Sequence, residues 1–361
     1  MNIVKKLRVG IIGLGKISGI YLENLTKMFS NTVELVGVVD LVAERSAAVV
    51  EQYKVKRYAD AEELLGDPSI DLVINLTTPQ SHYNLCKRAL EAGKHVYVEK
   101  PLSLTVEQAG ELVDLAGEKQ LLLGGAPDTF LGAGIQTCRK LIDDGWIGRP
   151  IAASAFMMNH GHESWHPDPE FYYKRGGGPL FDMGPYYITA MVNLLGPVDS
   201  VTGYAQKSFE RRTITSEPKH GDVIDVEVAT HIAGVLHFEG GAVATLVTSF
   251  DVWHHSMPRL EIYGTEGSLQ VPDPNTFGGP ILFCRKGTKE WKELPLLFDY
   301  EQNSRGLGVA DIALSLAEAK KNRASGELAR HVVEVMSSLL SSADTKQQVA
   351  IKHSCQRPQP R

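Results

Sequence analysis

Short apolar segments and amphipathic segments alternate along the first third of the chain. The apolar segments are continuous and rich in β-branched residues, which is typical of buried parallel strands. They predict strands at Leu7–Gly13, Val33–Val39, Leu72–Leu76, His95–Val98 and Leu121–Gly124. Apolar residues at helical spacing predict helices at Ser18–Phe29, Ala43–Tyr53, Ser81–Ala92 and Val106–Glu118. This alternation predicts βαβ units and therefore an α/β fold with a parallel, doubly wound sheet.

The pattern changes after about residue 126, where strand-like segments become dominant. One helix is predicted first, at Ile135–Asp143. The strands predicted after it are Ile151–Met158, Val198–Gln206, Asp225–Phe238, Ala242–Val252, Leu260–Gly264 and Ser268–Val271. Helices at Val309–Lys321 and Glu327–Ser341 follow. Because 361 residues exceed what one core usually supports, we expect two domains, at 1–125 and 126–361.

Composition narrows the class of protein. The chain is 43% hydrophobic and 22% charged, with a net charge of −6, as in ordinary globular proteins. No basic stripe, bilayer-spanning stretch or secretory leader pattern is present, so we expect neither a nucleic-acid nor a membrane partner. The cysteines are scattered, at Cys86, Cys138, Cys284 and Cys355. Reduced thiols and a cytoplasmic location are the simplest interpretation.

A glycine-rich turn follows the first predicted strand. Gly13-x-Gly15-x-x-Ser18 matches the dinucleotide-binding fingerprint with a small residue at the third position. The first glycine permits a tight turn, the second admits the pyrophosphate, and the following helix start offers free N–H groups. An isolated match would be an ordinary glycine turn, but the strand before it and the helix after it favour a nucleotide site. Lys16 and Ile17 lie inside this turn.

Asp40 ends the second predicted strand and strengthens the nucleotide hypothesis. An acidic residue at this point is the expected acceptor for the ribose 2′-hydroxyl. Its charge would repel a 2′-phosphate, which favours NAD over NADP. Arg45 lies close enough in sequence to keep NADP as an alternative.

Two further strand ends carry candidate chemistry. The segment 77–79, Thr-Thr-Pro, opens a turn that we expect Ser81 to cap and that would contact the nicotinamide-side ribose. Glu99-Lys100-Pro101 directly follows the predicted strand His95–Val98. Pro101 disfavours helical geometry at Lys100, so the lysine should leave the strand extended, at the edge where a doubly wound sheet binds its ligand. The simpler alternative is a solvated lysine at a strand end.

Together these residues resemble the glucose-fructose oxidoreductase and inositol dehydrogenase family, Gfo/Idh/MocA. The matching features, in the family's order and across nearly the whole chain, are Gly13-Leu14-Gly15, Asp40, Thr78-Pro79 with His82, Glu99-Lys100-Pro101 and the segment 176–186, Gly-Gly-Gly-Pro-Leu-Phe-Asp-Met-Gly-Pro-Tyr. The resemblance implies a Rossmann domain followed by an α/β domain with a large, mostly antiparallel open sheet. It also implies hydride transfer between NAD or NADP and a sugar or polyol, and a homodimer or homotetramer.

The resemblance completes the predicted cofactor site. The predicted cofactor-binding residues are Gly13, Gly15, Lys16, Ile17, Asp40, Arg45, Thr77, Thr78, Pro79, His82, Glu99 and Lys100.

The predicted catalytic residues are Lys100, Asp182 and Tyr186. Tyr186 stands where many family members carry histidine, and it is our candidate acceptor for the hydroxyl proton. A free phenol titrates near pH 10, and a nearby ammonium such as that of Lys100 would lower this pKa. Asp182 lies four residues earlier, on the same face of a helix if one forms here, and would orient substrate hydroxyls or the lysine. In the alternative interpretations, Asp182 only caps a helix, and Tyr187 is the working tyrosine.

Substrate contacts are predicted at Asp128, Thr129, His160, Trp165 and Tyr187, with Trp253 as a weaker candidate. Asp128 and Thr129 stand where relatives often carry arginine, so the contacts should differ from theirs. The segment 160–166, His-Gly-His-Glu-Ser-Trp-His, lacks the cysteines and helical spacing of a zinc site, and we predict no metal.

The leading functional hypothesis is an NAD(P)-dependent oxidoreductase acting on a sugar, a polyol such as an inositol, or a sugar derivative. A non-catalytic dinucleotide-binding regulator on the same fold is the first alternative, because fold does not settle function. The second is a hydrolase or eliminase that uses bound NAD transiently.

Overall fold

The computed structural model describes residues 6–361, so the start of the segment in which we expected no leader pattern lies outside the described residues. The strands, in chain order, are β1 (Leu7–Ile12), β2 (Val33–Val39), β3 (Lys56–Arg57), β4 (Leu72–Asn75), β5 (His95–Val98), β6 (Leu123–Gly125), β7 (Pro150–Met158), β8 (Val198–Gln206), β9 (Arg211–Thr213), β10 (Val223–Asp225), β11 (His231–Phe238), β12 (Val243–Ser249), β13 (Leu260–Gly264), β14 (Gly267–Val271), β15 (Ile281–Arg285), β16 (Lys292–Leu294) and β17 (Val349–Ala350).

The α-helices, again in chain order, are α1 (Ser18–Thr26), α2 (Ala43–Tyr53), α3 (Ala61–Gly66), α4 (Pro79–Glu91), α5 (Val106–Glu118), α6 (Ala133–Asp143), α7 (Gly178–Leu195), α8 (Leu307–Glu318) and α9 (Gly326–Thr345). Short 3-10 helices occupy Thr129–Leu131 and Glu170–Tyr173. The chain divides into two compact units. The first contains the described residues up to Leu131 together with Gln302–Arg330, and the second contains Gly132–Glu301 together with His331–Arg361.

The first unit is built on a parallel sheet of six strands in the order β3-β2-β1-β4-β5-β6. The central strands β1, β4 and β5 are almost entirely buried, as their continuous apolar runs predict for strands covered on both faces. The predicted Rossmann architecture is confirmed.

Residues 302–330 return to the first unit after the chain has built most of the second. Helix α8 packs against β6 and β2, and Gly124 forms an isolated bridge with Ser325. A Cβ on Gly124 would lie 2.8 Å from the Ile312 side chain, so this strand and helix are in close contact. The domain limits predicted from the sequence, 1–125 and 126–361, placed residues 302–330 in the second domain. Local sequence patterns do not show that a late segment of the chain packs with the first unit.

The second unit is built on a sheet of nine strands in the order β16-β15-β14-β13-β7-β12-β11-β8-β17. Every neighbouring pair is antiparallel except β7 and β12. Helix α7 packs against β7, β11 and β12, and buried and exposed residues alternate along β11 and much of β12. The large, mostly antiparallel sheet is therefore confirmed.

Several elements differ from the predicted ones. The predicted strand Asp225–Phe238 is two strands, because β10 pairs with β9 in a separate hairpin while β11 pairs with β8 and β12. Strands β3, β9, β15, β16 and β17 carried no recognised signal, and all of these except β15 have only two or three residues, too few for a pattern to develop. The last residues are ordered: Arg139 Nη1 donates to Pro358 O (2.8 Å), and Arg361 N donates to Gln136 Oε1 (2.9 Å).

Candidate active site

A tight glycine turn joins β1 to α1. Gly13 has a φ of +94°, and a Cβ there would lie 2.9 Å from backbone atoms of Leu76 and Thr77. The positive φ and the close approach both require glycine. At the other end of the turn, Ser18 Oγ donates to Gly15 O (2.7 Å). The sequence therefore folds this segment into the start of a helix that follows a strand directly.

Asp40 holds this turn in place from the end of β2. Its carboxylate accepts from Leu14 N–H (2.6 Å) and from Val42 N–H (2.7 Å), and Arg45 Nη1 lies 3.8 Å away. Each carboxylate oxygen has two lone-pair positions, so the carboxylate retains capacity to accept from a ribose hydroxyl. The bond to the glycine turn is a structural role that its position in the sequence did not reveal.

A pocket of about 740 Å³ lies along this edge of the sheet. The predicted cofactor-binding residues on its walls are Gly13, Gly15, Lys16, Ile17, Asp40, Arg45, Thr77 and Thr78. A Cβ on Gly15 would meet nothing within 4 Å, so the backbone is open to the pocket there. The start of a helix carries N–H groups that the helix itself cannot pair, which suits a pyrophosphate, although the N–H of Ser18 donates to Gly15 O (3.1 Å). These residues fit a dinucleotide.

The pocket also has walls that the motif analysis missed. Leu41 and Val42 follow Asp40 at the rim, and the Leu41 side chain is fully exposed. Asp60, the N-cap of α3, and Arg88 of α4 contribute polar groups. An apolar pair directly after the acidic strand end was the only available sequence signal.

The turn after β4 is held from behind by His82. This histidine is fully buried, with Nδ1 2.7 Å from Pro101 O and Nε2 3.0 Å from Thr77 O. Burial lowers its pKa, although both carbonyls oppose this shift, and a neutral ring can donate to only one of them. His82 thus ties the turn at Thr77 to the loop after Lys100. Its buried ring supports the cofactor site rather than lining it, which corrects the predicted direct contact.

The start of α4 also differs from the prediction. The N-cap is Thr78, with Pro79 at the first helical position, so Ser81 lies inside the helix and does not cap it. The proline explains the difference, because its fixed φ suits the first position of a helix.

Glu99, Lys100 and Pro101 follow β5 as predicted. Glu99 is buried, accepts from Tyr21 Oη (2.8 Å), and also accepts from Lys100 N–H (3.1 Å). Burial, followed by the Glu99 charge, raises the pKa of Tyr21, which keeps this phenol a donor. Lys100 is half-buried, and the Lys100–Pro101 peptide bond is cis. Glu99 therefore anchors the lysine backbone to α1.

Asp128 has a structural role in place of the predicted substrate contact. Its Oδ2 accepts from Gly306 N–H and Gly308 N–H, both at 2.9 Å, and so caps the start of α8. Both Asp128 and its neighbour Thr129 are buried. The predicted contacts of Asp128 and Thr129 with substrate are therefore corrected: both residues belong to the interior of the first unit.

Asp128→Asn should change how stability depends on pH. Burial raises the pKa of Asp128 to about 6, against the opposing effect of the Gly308 N–H and Arg305. The folded state thus binds this proton more tightly than the unfolded state, and the corresponding stabilisation is lost as pH rises from about 4 through 6. Relative to wild type, the variant should gain on the order of 3 kcal/mol of unfolding free energy between pH 4 and pH 7. Urea denaturation at both pH values measures this change, and a difference that is constant with pH would contradict it.

In the second unit, α7 carries two of the predicted catalytic residues. The helix starts at Gly178 with Gly177 as its N-cap, so Asp182 lies in the second turn and is not a cap. Tyr186, four residues later, shares its face of the helix. The Tyr186 side chain is largely buried.

His162 faces Asp182, with Nε2 at 3.4 Å from Oδ2. The imidazole is buried, stacks on Tyr172 at 3.8 Å with an interplanar angle of 10°, and meets the edge of Phe250. The sequence showed three closely spaced histidines but gave no signal as to which of them meets Asp182.

A second pocket, of about 330 Å³, is lined in part by residues of the same loop. On the wall of this pocket, the His160 ring stacks on Trp253 with the ring centroids 3.4 Å apart. Burial, followed by the charge of Arg212, lowers the pKa of His160. Ser164, Thr213 and Thr215 add hydroxyl groups around these rings. The pocket combines aromatic faces with hydroxyls, a lining suited to a carbohydrate.

Arg212 holds this loop in place and was not predicted. Its buried guanidinium donates to Glu163 Oε1 (2.7 Å), to Phe250 O (2.7 Å) and to Asp251. The loop after β7 is thereby tied to β9 and to the end of β12.

Tyr187 and Trp165, both predicted to contact substrate, lie in different surroundings, one buried and the other exposed. Tyr187 is fully buried, and burial, followed by the charge of Asp273, raises its pKa while Arg259 opposes the shift. It is a core residue, because one step along the helix turns it away from the face of Tyr186. Trp165 is half exposed and contacts His162 and His166.

Two further observations bear on function. Among residues 6–361, no group of three or more His, Cys, Asp or Glu side chains is arranged to hold a metal ion. No helix in the described part of the chain is long and apolar enough to cross a bilayer.

Comparison with known proteins shows the family to which the chain belongs. The chain matches the GFO_IDH_MocA model, an oxidoreductase family with an NAD-binding Rossmann fold, over residues 7–125, and the GFO/IDH/MocA C-terminal domain over residues 135–270. It is 25% identical to myo-inositol 2-dehydrogenase of Thermotoga maritima over 264 residues, covering 73% of this chain and 74% of that protein. It is 30% identical to 1,5-anhydro-D-fructose reductase of Ensifer adhaerens over 243 residues, covering 65% and 67%. Levoglucosan dehydrogenase in complex with NADH superposes with a TM-score of 0.83 at 19% identity, over 97% of this chain and 100% of that one, which shows the shared fold.

The protein is thus an oxidoreductase with an NAD-binding Rossmann domain. It belongs to the GFO/IDH/MocA family.

Proposed function

We propose that this protein catalyses hydride transfer between NAD and a CH–OH group of a sugar, a polyol such as an inositol, or a sugar derivative. One observation carries the proposal: functional groups follow neighbouring strands in a fixed order along one edge of the first sheet. Asp40 follows β2, Gly13 follows β1, Thr77 follows β4, and Lys100 follows β5. Because the carboxyl ends of parallel strands meet at one edge, this order suits a dinucleotide with its adenosine end at Asp40 and its nicotinamide end towards Lys100.

The chain's own residues have distinct proposed roles. Bound NAD supplies the hydride acceptor or donor. Lys100 donates a hydrogen bond to the reacting oxygen, Asp182 orients substrate hydroxyls, and Tyr186 takes the hydroxyl proton. The rim residues Leu41 and Val42 provide an apolar surface for the adenine ring.

The substrate class rests on two supports. The matched relatives include proteins named for inositol and anhydrofructose substrates. The pocket beside His160 and Trp253 offers stacked rings and hydroxyls, which suit the faces and hydroxyl groups of a sugar. We propose that His160 and Trp253 contact the substrate there.

A substrate panel tests the proposed function directly. Purified protein is mixed with sugars and inositols, each with NAD or NADP, and nicotinamide absorbance is followed. We expect turnover with at least one polyol or sugar and a preference for NAD, because Asp40 repels a 2′-phosphate. Dinucleotide binding without any turnover would favour a regulator. Product formation without a net absorbance change would favour the NAD-assisted hydrolase or eliminase.

Self-association is a further part of the proposal. The face of the second sheet away from α7 exposes Tyr204, Val235 and Val243. Large apolar side chains exposed on a sheet face are typical of subunit contacts. Light scattering on the purified protein should therefore give the mass of a dimer or tetramer, and a monomer would contradict this part. The cytoplasmic location stays a prediction.

A further inference from the structure

We propose that His162 is a positioning residue that holds the Asp182 carboxylate by donating from its Nε2–H, an inference that rests on the proposed function. The two side chains come from different elements, His162 from the loop after β7 and Asp182 from the second turn of α7. Their facing atoms, Nε2 and Oδ2, are 3.4 Å apart. Catalytic hydrogen bonds are often long before substrate binds and shorten in the reactive complex.

The surroundings of His162 select the tautomer. The other ring nitrogen, Nδ1, is buried and has no hydrogen-bond partner within the described chain. A proton on Nδ1 would leave a buried donor unpaired and would turn the Nε2 lone pair towards the carboxylate. A proton on Nε2 leaves only a lone pair unmatched, which costs less, and points a donor at Asp182.

The ring is also held in one orientation. Tyr172 stacks on one face at 3.8 Å, and the edge of Phe250 lies with its ring centroid 4.7 Å away. On the following residue of the loop, Glu163 is bound by Arg212, which fixes the backbone beside the histidine. A side chain that cannot swing away can hold a carboxylate in one rotamer, and a misplacement of about 1 Å in such a group costs as much as 100-fold in rate.

Two substitutions separate a hydrogen-bonding role from a packing role. In His162→Gln the amide Nε2 can replace the imidazole donor but packs poorly against Tyr172. In His162→Leu the apolar contact is kept and the donor is lost. Positioning predicts that the leucine variant loses about 10-fold to 100-fold in kcat, while the glutamine variant stays within about 5-fold of wild type, with KM for NAD little changed in both. His166→Leu is the matched control: this ring packs in the same aromatic group, against Phe171 and Tyr172, and its Nδ1 accepts from Asp168 N–H (3.0 Å), so the variant should keep its kcat.

A measurement that does not depend on turnover accompanies the kinetics. Nitrogen-15 NMR of the histidine rings, with His162 assigned by its loss in His162→Gln, should show a proton on Nε2 whose resonance moves in Asp182→Asn. A proton on Nδ1, equal losses in the leucine and glutamine variants, or full activity of the leucine variant would each overturn the proposal. A wild-type protein that oxidises no alcohol while the Nε2–H pairing is intact would contradict the proposed function and leave the pairing supported.

Discussion

Lys100→Met should lower kcat for alcohol oxidation by at least about 100-fold, because it removes the charged donor proposed to stabilise the reacting oxygen. Methionine keeps most of the side-chain length, and the hydrogen bond that the residue 100 N–H donates to Glu99 survives the change. Affinity for NADH should stay close to wild type, since the walls of the dinucleotide pocket do not include this residue. Steady-state kinetics with NADH titration by fluorescence separates the two effects.

Lys16→Met is the matched control for this prediction. Lys16 lines the dinucleotide pocket, so its loss should weaken NADH binding while kcat at saturating cofactor is kept. Normal turnover in Lys100→Met would show that the proposed catalytic role is wrong. In the same assay, full activity of Tyr186→Phe would show that the phenol is not the proton acceptor, and it would leave the proposed role of Lys100 unchanged.

Gly13→Ala should destabilise the protein by about 2 to 4 kcal/mol. The new Cβ would sit 2.9 Å from backbone atoms of Leu76 and Thr77, in a residue with a φ of +94°. Backbone cannot move aside as a flexible side chain can, so β4 and the glycine turn would have to separate. Urea denaturation measures the loss, and NADH affinity should fall with it.

Two other glycines separate the causes of this loss. Gly93→Ala also places a Cβ on a positive φ (+77°) but meets nothing within 4 Å, so it should show the backbone cost alone, about 1 to 2 kcal/mol. Gly15→Ala meets nothing within 4 Å, so stability should be nearly unchanged. Its Cβ would enter the space proposed for the pyrophosphate, and NADH affinity should fall. Normal NADH binding by Gly15→Ala would show that the pyrophosphate does not lie at this position.

Most of the first unit was predictable because its signals are local. Continuous apolar runs mark β1, β2, β4 and β5, and the helices between them have one apolar face. The strands that were missed or misplaced lack such signals. Strands β3 and β17 have two residues each, and β10 is a separate strand because it pairs with β9, not because of an apolar pattern of its own.

The residues of the candidate site also fall into two groups, those with a local sequence signal and those without one. The glycine turn, Asp40 and the lysine after β5 were recognisable because each is a short motif at a strand end. Asp128, Thr129 and Tyr187 were assigned to the substrate from their positions in the sequence, and the structure places all three in the interior. The sequence indicates that a polar or aromatic residue has chemistry to offer but does not show which groups surround it.

The chain's local patterns were sufficient for the fold class, the dinucleotide turn and the family, because these depend on residues close together in sequence. Folding alone decided the partners of the polar side chains. Asp128 meets Gly306 across 178 residues, and His162 meets Asp182 from another element. Such contacts have no local signature, since any buried carboxylate needs donors and many positions could provide them. Only the packed structure shows that a helix start satisfies one carboxylate and that a histidine faces the other.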